Sequence, residues 1–239
     1  MARARFFVEG VFESGQTLTL AGEDAHKVVD VLRKRTGDNI EIIDSTAQQF
    51  VGTLQIDGRA VQARLGDRQA PPQEQLLEIT VAQGIPKGSK MDFVVEKLTE
   101  LGVAAIVPLR SERTFPAAKV DRWQRLAKAA AAQCGRASIP EVQQPQAFGE
   151  LLATFPFYDA VLFPWELSEH KPMRDALPET IRNARRVLIV IGPEGGFSHA
   201  EAEAAQRTGA KIISLGSRIL RTETAALVLV ALLNYLAEE

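Results

Sequence analysis

With a single cysteine, Cys134, in 239 residues, the chain cannot close a disulfide on itself, which fits a reducing compartment. Its three histidines, His26, His170 and His199, are scattered and add no metal-ligand spacing to that one thiol, so no metal is expected. Long apolar runs are missing as well. The longest, Ala225 to Leu233, is about half of the roughly 20 residues a membrane-spanning helix needs. The opening MARARFFVEG has charges but no apolar core, so no signal peptide and no membrane partner are expected, and a cytoplasmic protein is. Charge of one sign is also absent: the net charge is −2 and the pI near 6.0. Residues 1–70 hold nine Lys and Arg against ten Asp and Glu, and the remainder holds nineteen against twenty. No global field draws a polyanion to this chain, and any RNA contact must come from local patches.

What is present is apolar content of 46%, enough for the core of one large domain or two smaller ones. The first 70 residues are strand-rich: 5–8, 17–20, 39–43, 50–56 and 60–65 alternate or run β-branched. Gly37-Asp38 and Asp57-Gly58 are turn signals, the second marking a hairpin. Ala25, Val28, Val29 and Leu32 have helical spacing and predict a helix over 23–34. A small β-barrel with one helix is the economical reading of 1–70. The polar, proline-bearing stretch 68–73 reads as a linker. Over 74–239 strand-like runs (77–82, 104–109, 160–163, 187–191, 211–215) alternate with helical ones (91–101, 122–134, 198–208, 222–237). Such alternation predicts βαβ units and a mainly parallel sheet, hence an α/β domain.

Two glycine turns carry the functional signal. Ile191-Gly192-Pro193-Glu194-Gly195-Gly196-Phe197 follows one apolar run, and Ser214-Leu215-Gly216-Ser217-Arg218-Ile219-Leu220-Arg221-Thr222-Glu223-Thr224-Ala225 follows another. Turns at the carboxyl ends of strands are where open α/β sheets hold ligands. Ser198 and Glu201 match a capping box opening the next helix. The first turn lacks the G-x-G-x-x-G spacing, which disfavours a dinucleotide site. In the second, Arg218, Arg221 and Glu223 stand directly before a helix that is apolar on nearly every side, which needs a partner on its second face. Gly84 to Lys90 superficially resembles a phosphate loop without its spacing, excluding an NTPase. Lys87, Lys90, Arg3, Arg5 and Arg33-Lys34-Arg35 are candidate RNA phosphate contacts, to which Arg136 is added. Cys134 reads as a small core residue and His26 as structural.

IGPEGGFSHAE followed by SLGSRILRTETAALVLVALLNY resembles the signature of SPOUT-class methyltransferases, and more narrowly of the RsmE family, which methylates N3 of one uridine, uracil 1498, in 16S ribosomal RNA. RARFFVEG, HKVVDVLRKRTGD, PKGSKMDFVVEKLTELGV, AAQCGR and LFPWE fall in the family's order, so the likeness covers the whole chain. One position departs: Ala132 stands where the family commonly has Glu, although the helix forms equally well with Ala. The resemblance implies a PUA-like N-terminal barrel over 1–70 for RNA and a trefoil-knotted methyltransferase domain over 74–239. It implies S-adenosylmethionine against Ile191, Gly192, Pro193, Glu194, Gly195 and Gly196 on one side. Leu215, Gly216, Ile219, Leu220, Thr224 and Ala225 face it on the other, with Leu162 and Phe163 as apolar wall. A homodimer through the C-terminal helix and the small ribosomal subunit as partner are implied too. Within such a site Arg221 would stabilise the uracil anion, and Glu223 would act as base or orient Arg221. The alternatives are a related SPOUT enzyme acting on another RNA such as tRNA, or a non-catalytic RNA-binding assembly factor.

Overall fold

The structure, a computed structural model, describes residues 3–70, 76–113, 117–165, 177–178, 180–182 and 184–237. The chain forms two compact units, Met1–Gln73 with Ala131–Ser138, and Glu74–Ala130 with Ile139–Glu239. The sequence-based linker at 68–73 lies partly outside the described residues, and β5 of the first unit already extends through Arg68.

In the first unit β1 (Arg5–Phe7), β2 (Thr17–Leu20), β3 (Asn39–Ile43), β4 (Gln49–Asp57) and β5 (Ala60–Arg68) form one sheet in the order β1-β3-β4-β5-β2. Every second side chain goes inward, as the period-2 pattern requires: Leu18 and Leu20, Ile40 and Ile42, Val61, Ala63 and Leu65 are all buried. Asp57 pairs with Ala60 across a two-residue turn in which Gly58 takes φ +57, the left-handed geometry that suits the strand twist. Of the expected small β-barrel the described residues form a half-barrel, one five-stranded sheet. The three-residue β1 spends its one ladder on β3 and the four-residue β2 on β5, so among the described residues no pair joins the two edges.

The expected helix over 23–34 is also shorter. Helix α1 (Gly22–His26) passes into a π-helical turn at Lys27–Val31, which buries Val28, and Arg33 then takes φ +50. That left-handed residue ends the helical path, so Lys34 and Arg35 stand in the loop before the Thr36–Gly37 turn rather than on a helix end. Asp44 stabilises the loop before β4: its carboxylate accepts from Thr46 N and Oγ1, both at 2.8 Å, and from Gln48 N at 3.0 Å.

The second unit is a sheet of parallel strands. β6 (Glu78–Gly84), β7 (Ala105–Arg110), β8 (Glu141–Val142), β10 (Ala160–Pro164), β11 (Arg186–Ile191) and β12 (Lys211–Ile213) run in the order β12-β10-β11-β6-β7-β8, with β9 (Gln146–Ala147) also paired to β7. Both faces are covered, which is why the central strands read as continuous apolar runs. In β11, Val187, Ile189 and Ile191 pack with helices α2 (Lys90–Glu100), α3 (Val120–Cys134) and α6 (Thr222–Ala237). Its Leu188 and Val190 pack the other way, with α4 (Phe148–Leu152) and α5 (His199–Arg207). The two-residue strands β8 and β9 and the single-turn α4 were not read from the sequence; elements that short carry no periodicity.

Cys134 is corrected from a core position: it ends α3 and is exposed. The face of α3 that packs inward is Trp123, Ala127, Ala130 and Ala131; Cys134 continues that stripe by spacing but is the last residue of the helix, where the covering has ended.

Candidate functional site

The switch in strand order brings β11 between β10 and β6, and the loops leaving β10, β11 and β12 meet at the same end of the sheet. There they enclose a cavity of ≈ 560 Å³. Its lining draws on Pro164 and Trp165 at the end of β10, Ile191 to Phe197 (without Gly195) at the end of β11, and Ser214 to Glu223 with Ala225 after β12. Lys90 completes the wall. The volume is that of a nucleoside-sized ligand site, at the position where open parallel sheets bind ligands.

The two glycine turns are joined by one buried residue. Thr222, the first residue of α6, donates its hydroxyl hydrogen to the Gly192 carbonyl and accepts from Gln83 Nε2 at 2.7 Å. Gln83 is fully buried near the end of β6, and its Nε2 also donates to the Gly84 carbonyl at 3.1 Å. One relay thus ties the ends of β6 and β11 to the amino end of α6. Next to it, Gly84 is glycine because the chain leaves no room: an added Cβ would stand 2.7 Å from the Gly192 carbonyl carbon and still closer to Pro193 N.

The first turn is held from three further sides. Ser198 caps α5 by accepting from Glu201 N at 3.3 Å, and Glu201 returns a carboxylate oxygen to Ser198 N at 2.9 Å, the expected capping box. Glu201 is buried, and its other oxygen accepts from Glu112 N at 2.9 Å. Arg113 lies across Gly195 and donates to its carbonyl at 2.6 Å. Glu194 accepts from Lys90 Nζ at 2.9 Å and from Lys87 N at 3.0 Å. Partial burial pushes the Glu194 carboxyl up, but Lys90 and the surrounding amides outweigh it and hold it below the usual carboxylate range. Beneath the turn, Phe197 stacks on Phe163 with centroids 4.4 Å apart, and Phe148 closes the cluster against both.

The structure gathers most of the residues singled out from the sequence. Ile191, Gly192, Pro193, Glu194, Gly196, Leu215, Gly216, Ile219, Leu220 and Ala225 line the cavity, as do Arg221 and Glu223. Gly195 and Thr224 are their immediate neighbours but do not line it. Leu162 and Phe163 are fully buried, since the two side chains are spent on the two core faces; the cavity wall at the end of β10 is half-buried Pro164 and Trp165. Arg218, singled out with Arg221 and Glu223, and Lys90, read as a phosphate contact, line it too; Pro164, Trp165 and Thr222 were given no role, although Pro164 and Trp165 lie in the LFPWE segment. Arg221 is exposed and, among the described residues, its side chain has no hydrogen-bond or ion-pair partner; it forms no ion pair with Glu223, and Glu223 Oε2 is buried without a partner. An orienting salt bridge between the two is therefore not part of this geometry.

Of the RNA candidates, Arg5 donates from Nε and Nη2 to Glu41 Oε2 at 2.9 and 2.7 Å and from Nη1 to the Gly135 carbonyl. Arg136 and Lys34 are partly buried, Arg136 donating to Ser138 Oγ at 3.3 Å, whereas Arg3, Arg33 and Lys87 are exposed. Among the described residues no group of three or more His, Cys, Asp and Glu could hold a metal, and no helix is long and apolar enough to cross a membrane.

Parallel sheet, covered faces and a loop-built cavity at the strand ends define an α/β protein with a nucleoside-sized ligand site. A family model described as an RNA methyltransferase domain matches residues 72–234. The chain is 30% identical to the ribosomal RNA small subunit methyltransferase E of Bacillus subtilis, over 98% of this chain and 97% of that one. It is 32% identical to the Synechocystis protein of the same name, over 96% of this chain and 76% of that one. Among solved structures, the ribosomal RNA small subunit methyltransferase E of Neisseria gonorrhoeae bound to S-adenosyl methionine superposes with a TM-score of 0.89 at 30% identity, covering 98% of each chain. A Legionella pneumophila putative methyltransferase in complex with the same cofactor gives the same TM-score, identity and coverage. The chain belongs to the ribosomal RNA small subunit methyltransferase E family.

Proposed function

We propose that this protein transfers the methyl group of S-adenosylmethionine to N3 of one uridine, the position numbered 1498, in 16S ribosomal RNA of the small subunit. The observation that carries the reading is the cavity between the two glycine turns, where exposed Arg221 and half-buried Glu223 stand together on the wall formed by the start of α6. The cavity fits the cofactor. Its ≈ 560 Å³ suits a nucleoside with a short side chain, and glycine at 192, 196 and 216 lets backbone groups approach it. The unpartnered Glu223 Oε2 gives the wall an acceptor in surplus, which suits a cationic ligand.

When bound, the cofactor supplies the electrophilic methyl group. The chain's part is to orient the base and manage one proton. Uracil N3 is a weak acid, and its anion gains from a permanent positive charge nearby. Arg221, unpaired at the cavity wall, provides that charge, and the Glu223 carboxylate takes the proton. N3 lies on the Watson–Crick edge, so the uridine enters unpaired or flipped outward.

In this reading residues 74–239 are the catalytic domain, its cofactor loops knotted, and residues 1–70 a PUA-like RNA-binding domain. The protein works as a homodimer where ribosomal subunits are made, in the cytoplasm. The exposed stripe of α6, with Thr224, Ala231 and Tyr235 on it, supports the dimer: the apolar helix predicted to need covering on both faces is covered on one within the chain. Arg221→Ala tests the assignment of the cation. It keeps S-adenosylhomocysteine binding by calorimetry and loses methylation of undermethylated small subunits; near-full methylation by this variant overturns the role.

A further inference from the structure

Since the chain as a whole is faintly acidic, a polyanion must find a local patch, and the second unit has one that the sequence reading passed over. Between Lys119 and Cys134 there are four Lys and Arg and one acid, Asp121. Lys119, Arg122, Arg125 and Lys128 are all exposed, while α3 turns Trp123, Ala127 and Ala130 inward. Lys119, Arg125 and Lys128 have no ion-pair partner among the described residues. By contrast, Arg5 of the first unit is taken up by Glu41.

At the amino end of this basic face lies a second cavity, ≈ 330 Å³, with Ile85 and Pro86 buried in its floor and Lys119, Arg122, Gly88 and Ser89 on its walls. Arg122 is fixed there: Asp92 Oδ2 accepts from its Nε at 3.0 Å and its Nη2 at 2.7 Å, and Asp92 Oδ1 accepts from Trp123 Nε1 at 3.1 Å. A guanidinium fixed by two bonds to one carboxylate, in a cavity also lined by Ile85, Pro86 and Trp123, offers a stacking surface to an unpaired base, and the neighbouring Lys119 suits its phosphate. The loop that forms one wall, 85–89, leads directly to Lys90, which lines the first cavity and is bonded to Glu194.

We propose that the exposed basic face of α3 and this second cavity form a binding surface for a single-stranded segment of the RNA that carries the target base, the cavity taking one nucleotide and the cations tracking phosphates. This rests on the methyltransferase reading, to which it adds where the substrate strand runs on the catalytic unit.

The test is a triple variant, Lys119→Ala, Arg125→Ala and Lys128→Ala, which spares Arg122 and its bonds to Asp92. Binding of a 16S ribosomal RNA fragment and of undermethylated small subunits is measured against salt, with S-adenosylhomocysteine binding as control. Cofactor affinity stays at the parent value, and the slope of log affinity against log salt becomes shallower by about two, at roughly 0.7 per phosphate contact on a single strand. An unchanged slope and affinity overturn the surface. A parent that binds RNA with a steep slope, lost in the triple variant, but methylates nothing leaves this surface standing and sinks the methyltransferase reading. For the cavity, Ala117→Trp fills its exposed rim and weakens RNA binding at high salt, where phosphate contacts are screened; parent-like binding there removes the cavity from the proposal.

Discussion

Gln83 and Thr222, 139 residues apart in sequence, meet in a buried 2.7 Å hydrogen bond, and the Thr222 hydroxyl in turn donates to the Gly192 carbonyl, locking the amino end of α6 to the first glycine turn. The lock sets the position of Gly192 on one wall of the cofactor cavity and of Arg221 and Glu223 on the other. Thr222→Val keeps the shape and removes the hydroxyl, leaving the buried Gln83 amide and Gly192 carbonyl without it. Each such orphan costs about 1–3 kcal/mol. Thermal unfolding should move down by several degrees, at roughly 2–4 °C per kcal/mol for a chain of this size. Cofactor affinity should fall with it, and Thr222→Ser should restore both; a Val variant with parent affinity breaks the link between relay and pocket.

Gly84→Ala probes the same junction by overpacking. Its Cβ would stand 2.7 Å from the Gly192 carbonyl carbon, against backbone that cannot rotate aside. We expect a loss of about 1–3 kcal/mol or more in urea unfolding. Cofactor binding should weaken further than in a control at Gly149, where an added Cβ meets nothing within 4 Å. Equal effects at the two positions contradict the close approach.

The Asp44 carboxylate gives a pH prediction for the first unit. Burial pushes it up, but the hydrogen bonds from Thr46, Gln48 and Phe12 outweigh that and hold it below the ordinary aspartate value. A depressed folded pKa contributes stability that is fully present above the unfolded value of about 3.9 and is lost as pH falls through the lower folded value. Asp44→Asn is therefore less stable than the parent at neutral pH, and the gap narrows below about pH 4. Parallel stability curves for the two proteins, followed by denaturant titration from pH 2 to pH 7, contradict this.

The uncovered stripe of α6 predicts assembly. Ala231→Glu places a charge on it without touching the buried Ala226, Leu229, Val230 and Leu233. Sedimentation should find the parent dimeric and this variant monomeric with its melting curve retained; a monomeric parent disposes of the dimer.

Much of the second unit could be read from residue order. β6, β7, β10, β11 and β12, together with α2, α3, α5 and α6, fall within a few residues of expectation, because both faces of the sheet are buried and the runs are long. The Ser198–Glu201 box was legible because its two partners are three residues apart. Gln83–Thr222 was not, since nothing local couples positions in β6 and α6. The open first sheet was illegible for a related reason: alternation places side chains in or out but does not decide whether β1 and β2 pair. Leu162 and Phe163 look like pocket wall in an apolar run, yet only the second covered face of the sheet shows that both are core. The basic face of α3 was hidden by counting charge over whole segments.

The central claim is methyl transfer to one ribosomal base, and the most direct measurement is incubation of the protein with labelled S-adenosylmethionine and undermethylated small ribosomal subunits, followed by mapping of the modified nucleotide. The account predicts one labelled uridine, methylated at N3 at position 1498 of 16S ribosomal RNA, with the label absent when Arg221→Ala is used. Label on free tRNA and not on subunits, or no label from a protein that binds the cofactor, would contradict it.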